Sequence, residues 1–330
     1  MVSDEDMNAV ILSVKEAVAL SEGAIRRIGY SVNEAKVIAA NLVSAELMGY
    51  PTMGITRILT IAEHPLTKQP RTPISVTHET MVSARVDCGN YVGLYAMQRV
   101  AEIAIKKAQL ARFAVVGAHN SFLSGRNAYY LDMIARKGFV GVHLACSQPV
   151  VAPLGAAAAA FGTNPIAIAI PHHPHPIILD MGTAAVNSGD VILASRLGHE
   201  LDEGTAIDGQ GRPTLDPFAA LAGAIMPFGG HRGSSLSFII QALGLLGGAA
   251  LTRGQVQDFG FLFILFDPEL LMPGDQFQSQ IDELIDRIKD TPRQPGAAEF
   301  RFPSQRSYAE SNARTSIALP ALIYKNVRAL

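Results

Sequence analysis

The densest set of groups able to do chemistry lies in Pro227–Ser235, PFGGHRGSS, directly ahead of a long apolar run. Gly229, Gly230 and Gly233 let backbone amides approach a bound group. The start of the following helix adds free N–H groups and the positive end of its dipole. Arg232 brings a fixed positive charge suited to phosphate or carboxylate, and His231 can donate or accept. Together they form an anion site of the kind that takes a cofactor pyrophosphate. The same residues also fit a glycine-rich turn feeding a packed helix. A second cluster, Gly162-Thr163-Asn164-Pro165, is a stiff turn with side-chain donors and acceptors. A third is Asp180, which ends the run IILD ahead of Met181, Gly182 and Thr183. A carboxylate at a strand end can hold a ribose hydroxyl or cap a loop amide.

Other chemistries lack their markers. The chain has no Walker GxxxxGK[ST] spacing, no GxGxxG fingerprint and no GxSxG elbow. His172, His173 and His175 crowd one Pro-His loop, but no cysteine is near and Asp180 is the closest carboxylate, so no metal site is expected. A net charge of −2 with 17% charged residues gives no field to recruit nucleic acid or an anionic membrane. The acidic start (Asp4, Glu5, Asp6) is unlike a secretory signal. Cys88 and Cys146 form no framework, so a reduced, cytoplasmic protein is expected. Leu236–Leu251 is apolar but falls short of the roughly 20 residues a span requires, and its glycines predict a buried, closely packed helix.

These groups need a scaffold. Ser13 with Glu16 and Ser31 with Glu34 have capping-box spacing, which predicts helices over Val14–Ile28 and Val32–Met48, stopped by Gly29 and Gly49. In the second, Ala35, Ile38, Ala39, Leu42, Val43 and Leu47 share one face. Beyond a Pro/Thr-rich loop, short apolar runs read as strands at Phe113–Val116, Val140–Ala145, Ile166–Ile170 and Ile177–Leu179. A helix over Tyr95–Leu110 precedes the first. The strands are not each followed by a helix, so a regular βαβ array is a poor description. Pro295–Gln305 reads as loop, and Ser316–Ala321 as a short run returning to the opening helices.

Four blocks in order carry a resemblance. They are Gly162–Pro165, Leu179–Thr183, Asp208–Thr214 (DGQGRPT) and Pro227–Gly233. With them, nearly the whole chain resembles the malate/L-lactate/ureidoglycolate dehydrogenase family of NAD(P)-dependent oxidoreductases, near its Δ1-piperideine-2-carboxylate/Δ1-pyrroline-2-carboxylate reductases. The resemblance implies an α+β fold that is not a Rossmann fold. Its cofactor domain, residues 76–279, would have a mostly antiparallel sheet; a helical domain would be built from both chain ends, residues 1–75 and 280–330. It implies a homodimer acting on a small carboxylate substrate, with NAD or NADP as cofactor and NADP favoured. The cofactor would lie along Leu123, Ser124, Gly125, Arg126 and Asn127, around Asp180–Thr183, at His231 and Arg232, and near Arg306. Arg126 would meet a 2′-phosphate. Arg57 would grip the substrate carboxylate, with Thr163, Gly189 and Asp190 on the substrate side.

This sequence departs from the family pattern where Thr52-Met53-Gly54 replaces Ser-His-Gly and Leu123 replaces the histidine of Asn-Ser-x-His. Neither methionine nor leucine exchanges a proton, and such help is typically worth about 10²–10⁴-fold. Three readings follow. The substrate is an iminium that already carries its proton; or His119, Thr52, Tyr129 or Tyr130 takes the role; or the chain binds ligand without turnover.

Overall fold

The structure is a computed structural model and describes residues 8–249, 251–252, 255–256 and 259–330. The acidic start, residues 4–6, and the end of the apolar stretch at Ala250 lie outside the described residues. In chain order the strands are β1 (Ala9–Ser13), β2 (Ser75–Glu79), β3 (Ser83–Val92), β4 (Phe113–Phe122), β5 (Val140–Cys146), β6 (Ile166–Ile170), β7 (Ile177–Met181), β8 (Ala206–Ile207), β9 (Ala224–Ile225), β10 (Leu251–Thr252), β11 (Gln255–Val256), β12 (Gly260–Phe266) and β13 (Ser316–Pro320). The helices are α1 (Val14–Arg27), α2 (Val32–Leu47), α3 (Arg57–Glu63), α4 (Gly93–Ala111), α5 (Ala128–Ala135), α6 (Ser188–Leu197), α7 (Pro217–Ala222), α8 (His231–Leu246), α9 (Gly274–Lys289), α10 (Gln305–Ala313) and α11 (Ala321–Ala329).

Both expected capping boxes are present. The Ser13 and Ser31 hydroxyls accept from the backbone N–H of Glu16 and Glu34, whose carboxylates accept in return from the serine N–H groups at 2.8 Å. The central sheet has the order β2-β3-β4-β12-β5-β6-β7. Only β3 and β4 run parallel, joined by α4 in a single βαβ unit; every other pairing is antiparallel. This is the non-Rossmann, mostly antiparallel sheet expected from the resemblance. The late run at Ser316 pairs with β1, immediately ahead of α1, so the two chain ends are stitched together by a two-stranded ladder.

The strand at the middle of the sheet, β12, reads GFLFILF and has no polar alternation because it is buried on both faces. Phe261 and Phe263 enter the main core with Ile38 and Leu42 of α2, whereas Leu262 packs with Ile240 of α8 on the other face. Each such side chain contributes about 1.5–3 kcal/mol on full burial.

The expectation of a buried, closely packed helix near Leu236 holds for one face only. Gly244 and Gly247 do bring α8 close to the sheet: a Cβ at Gly244 would lie 2.3 Å from Cys146 Sγ, and one at Gly247 would lie 2.5 Å from the Phe261 carbonyl. The opposite face of α8 is exposed, with Phe238 at 61% and Leu246 at 66%. Burial of one face suffices to hold the helix, and apolar composition could not tell the two faces apart. Among the described residues no helix is long and apolar enough to cross a membrane.

Candidate active site

Antiparallel pairing sends β4, β5 and β7 in one direction and β12 and β6 in the other. The C-terminal ends of the first three strands and the N-terminal ends of the other two therefore meet at one edge. There they line a cleft of about 590 Å³. Leu123 follows β4, Cys146 ends β5, Asp180 belongs to β7, Pro165 precedes β6 and Phe259 precedes β12; all five reach it. Its opposite wall comes from Tyr50–Met53 and α3, with Arg301, Pro303 and Ser304 at the rim.

The loop after β4 is built for close approach. Leu123 has φ 54° and Gly125 φ 72°. The left-handed region costs a non-glycine residue about 1–2 kcal/mol, so Leu123 is held there by its surroundings. One brace is Tyr130, fully buried on α5, whose hydroxyl donates to the Ser124 carbonyl at 2.6 Å. Asp180 caps α5 from the neighbouring end of β7, accepting from the Ala128 N–H at 2.8 Å, and burial raises its pKa. Of the two readings offered for Asp180, the amide cap is the one its carboxylate makes here, and the residue also lines the cleft.

On the helical wall, Arg57 opens α3. Its guanidinium touches Met53 Sδ at 3.4 Å and makes no ion pair among the described residues. Burial lowers its pKa to about 10, Asp190 opposes that drop and Arg196 adds to it, so it stays charged at neutral pH. Gly189 makes room for it, since a Cβ there would lie 2.3 Å from Arg57 Nη2. The Asp190 carboxylate is engaged by Asn187 Nδ2 at 2.9 Å. The segment leading to Arg57 is anchored from below by Glu46, which is buried and accepts from the Ile55 N–H at 2.8 Å. Burial raises the Glu46 pKa to about 7.

Of the residues singled out from sequence, Thr52, Met53, Arg57, Thr163, Asp180, Gly182 and the whole run Leu123–Asn127 line this one cleft. Gly189 and Asp190 stand behind Arg57. Thr183 is buried one layer back, bonded to the Thr163 carbonyl at 3.0 Å and to Ser237 Oγ at 2.9 Å. Met181 is half-buried beside it and not among the lining residues. His231 and Arg232 are exposed at the start of α8 and do not reach the cleft. Arg306 pairs with Glu310 at 2.9 Å; Arg301, five residues earlier, lines the cleft instead. His119 also lies elsewhere, with Nδ1 3.1 Å from the Gly247 carbonyl and Nε2 4.0 Å from Asp87. Tyr129 sits edge-on to Tyr130 in packing. In the Pro-His loop, His172 pairs with Asp282 at 2.9 Å and His175 stacks on Tyr308.

Sequence reasoning missed His64, which lines the same wall. Arg57, Thr60, Ile61 and His64 follow i, i+3, i+4, i+7 spacing, and all four reach the cleft. A helical reading of Arg57–Glu63 would have found it.

The residues present suit a dinucleotide. Asn127 is 1% exposed, and neither its Oδ1 nor its Nδ2 has a partner among the described residues. Arg126, 8% exposed, leaves its Nε unpartnered. Buried polar groups are ordinarily satisfied, and both residues line the cleft, so these unpartnered groups lie next to the space a polar ligand would fill. Gly93 permits the tight approach of the loop, because a Cβ there would lie 2.7 Å from Ser124 Cα.

The geometry thus combines a mostly antiparallel α+β scaffold, a cleft at one sheet edge, the orphaned Asn127 amide on one wall and the Arg57 guanidinium on the other. The family model described as malate/L-lactate dehydrogenase matches residues 12–328, and the chain belongs to that family. It is 32% identical over 291 residues to L-sulfolactate dehydrogenase of Methanothermobacter thermautotrophicus, covering 85% of each chain. It is 33% identical over 315 residues to the Delta(1)-pyrroline-2-carboxylate/Delta(1)-piperideine-2-carboxylate reductase of Pseudomonas putida, covering 89% of each. The solved structure of delta1-piperideine-2-carboxylate reductase from Pseudomonas syringae pvar. tomato matches with a TM-score of 0.82 at 28% identity, over 97% of this chain and 99% of that one.

Proposed function

We propose that this protein is an NAD(P)-dependent oxidoreductase of small 2-oxo or 2-hydroxy acids, with cyclic 2-imino acids as the neighbouring substrate class. The observation that carries the reading is Arg57: a charged guanidinium, without an ion pair among the described residues, facing a cleft whose other wall presents the unpartnered Asn127 amide. A planar fork of N–H donors is the natural partner of a carboxylate. When bound, a nicotinamide cofactor would supply or accept the hydride. Arg57 would then fix the acid so that its C2 faces that wall, and positioning of this kind supplies much of a rate enhancement. Thr52 and Thr163 offer hydroxyls to the substrate side. Asn127 and Arg126 would hold the cofactor, with Asp180 keeping their loop in register through its bond to Ala128.

NADP is favoured over NAD because Arg126 brings a guanidinium with an unpartnered Nε to the cofactor wall, and Arg301 adds a second at the rim. Arg126→Ala should raise the Kd for NADPH by about tenfold and leave that for NADH nearly unchanged. Equal weakening of both would remove Arg126 from the 2′-phosphate. The division into a helical part (residues 1–75 and 280–330) and a cofactor part (76–279) is also proposed, supported by the β1–β13 ladder that joins the chain ends. So is a homodimer, supported by the exposed apolar side chains of α8 and of Phe218 and Leu221 on α7.

The function is tested by turnover. Purified protein with NADPH or NADH should reduce at least one member of a panel of 2-oxo acids and cyclic imino acids. Cofactor binding with no turnover on any of them would favour a ligand-binding relative instead.

A further inference from the structure

The exchange of two family histidines for Met53 and Leu123 leaves the cleft without an imidazole at either position, yet one imidazole does face it. His64 closes α3 two turns beyond Arg57, about 10 Å further along the helix edge that lines the cleft. Its ring lies against Phe122, with centroids 4.5 Å apart and planes 13° apart. Phe122 is fully buried at the end of β4, so the stack fixes the imidazole on the cleft wall, and Leu123, where the family histidine is missing, lines the same cleft.

The hydrogen bonding of the ring is one-sided. Nδ1 accepts from the Leu66 N–H at 3.2 Å and caps the short 3-10 turn Pro65–Lys68. A nitrogen that accepts a backbone N–H cannot itself carry a proton, so the neutral ring must carry it on Nε2. No partner for Nε2 is found among the described residues. Partial burial lowers the His64 pKa, which keeps the ring neutral at physiological pH. A neutral imidazole with a fixed N–H is a hydrogen-bond donor toward developing negative charge.

We propose that His64 donates the hydrogen bond that supports the reacting oxygen of a 2-oxo acid held by Arg57. The inference rests on the oxidoreductase reading above. In the reducing direction the carbonyl carbon gains a hydride from the reduced cofactor, which is oxidised by two electrons. The C=O π pair moves onto oxygen, where the Nε2–H bond supports the charge, and a proton drawn from bulk solvent completes the hydroxyl. The imidazole polarises the carbonyl and need not surrender its own proton.

Two variants separate this role from packing. Asn in place of His64 keeps a side-chain oxygen to cap the Leu66 N–H but has no donor at the outer position. Gln carries an amide N–H near the position of Nε2 and loses the cap. His64→Asn should fold with a modest drop in Tm from the lost Phe122 stack, bind NADPH within about twofold of wild type, and lose about 10²-fold in kcat on the best 2-oxo acid. His64→Gln should recover part of that loss despite lower stability. Independently of activity, ¹⁵N NMR of the His64 ring should show the neutral Nε2–H tautomer, and its Nε2 resonance should move when oxamate is added to the NADPH-saturated protein. An active wild type whose His64→Asn variant keeps its kcat within about threefold, or an Nε2 resonance indifferent to oxamate, overturns the role of His64 alone. Turnover confined to cyclic imino acids, whose nitrogen already bears a proton, overturns it as well. Failure of the wild type to bind either reduced cofactor overturns the oxidoreductase reading and this inference with it.

Discussion

The two walls of the cleft are built on opposite plans. The sheet-edge wall is a collection of loop backbones, each fixed by a neighbour: Leu123 in a left-handed conformation, Ser124 held by Tyr130, Ala128 held by Asp180. The helical wall is one short helix with its side chains in a row, Arg57 at one end and His64 at the other. The first plan suits a long polar ligand, which needs many weak contacts at fixed positions. The second suits a small acid, which needs one strong grip and one oriented donor. Binding of the large partner and chemistry on the small one should therefore be separable by mutation.

The largest effect should come from the helical wall. Arg57→Met would remove the charge-assisted grip proposed for the acid, so kcat/KM for the acid should fall about 10³-fold while the Kd for the cofactor stays put. Loss of cofactor affinity in the same measure would merge the two walls into one site. A smaller effect, in the opposite pattern, is expected of the sheet-edge wall. Asn127 buries an amide without partners in the free protein, so Asn127→Ala should leave Tm unchanged or raise it, while the cofactor Kd rises about tenfold by fluorescence titration. A drop in Tm with unchanged Kd would mean that the amide serves packing alone.

The smallest effect concerns how the helical wall is anchored. Glu46 has its pKa raised to about 7 by burial, well above the ordinary glutamate range. Between that range and about 7 the folded protein retains a proton that the unfolded chain releases. Stability therefore falls as pH rises through this interval and levels off above it. Glu46→Gln cannot titrate and keeps an oxygen for the Ile55 N–H. Its Tm should consequently show a flatter slope than wild type from about pH 4.5 to 7. Parallel slopes would place the titration elsewhere.

The contrast between the walls also explains what could be read in advance. Capping boxes at Ser13 and Ser31 are local, involve residues three apart, and were legible as such. The strands around Val140 and Ile166 announced themselves by short apolar runs between turns. In the sheet-edge wall, Asp180 was legible from its place at the end of an apolar run, whereas Leu123–Asn127, like Arg57 on the other wall, was reached only through the family resemblance. His231 and Arg232 looked equally good, because a glycine-rich helix start has the same local chemistry whether or not a cleft lies in front of it. Arg306 is drawn along α10 to Glu310, whereas Arg301, in the loop before that helix, lines the cleft. The place of His64 on the cleft was legible in the i, i+3, i+4, i+7 row begun by Arg57, but its stack on Phe122, 58 positions away along the chain, was not.

Because the chain has no tryptophan, indole emission will not obscure the fluorescence of a bound reduced nicotinamide. Titration of NADPH and NADH with purified protein, with and without saturating oxamate, is the most direct test of a cleft that holds cofactor and carboxylate together. Saturable binding well below millimolar concentration, tightened by oxamate in wild type and not in Arg57→Met, is the predicted result. No change in emission with either coenzyme at millimolar protein, or binding that oxamate leaves untouched, would contradict it.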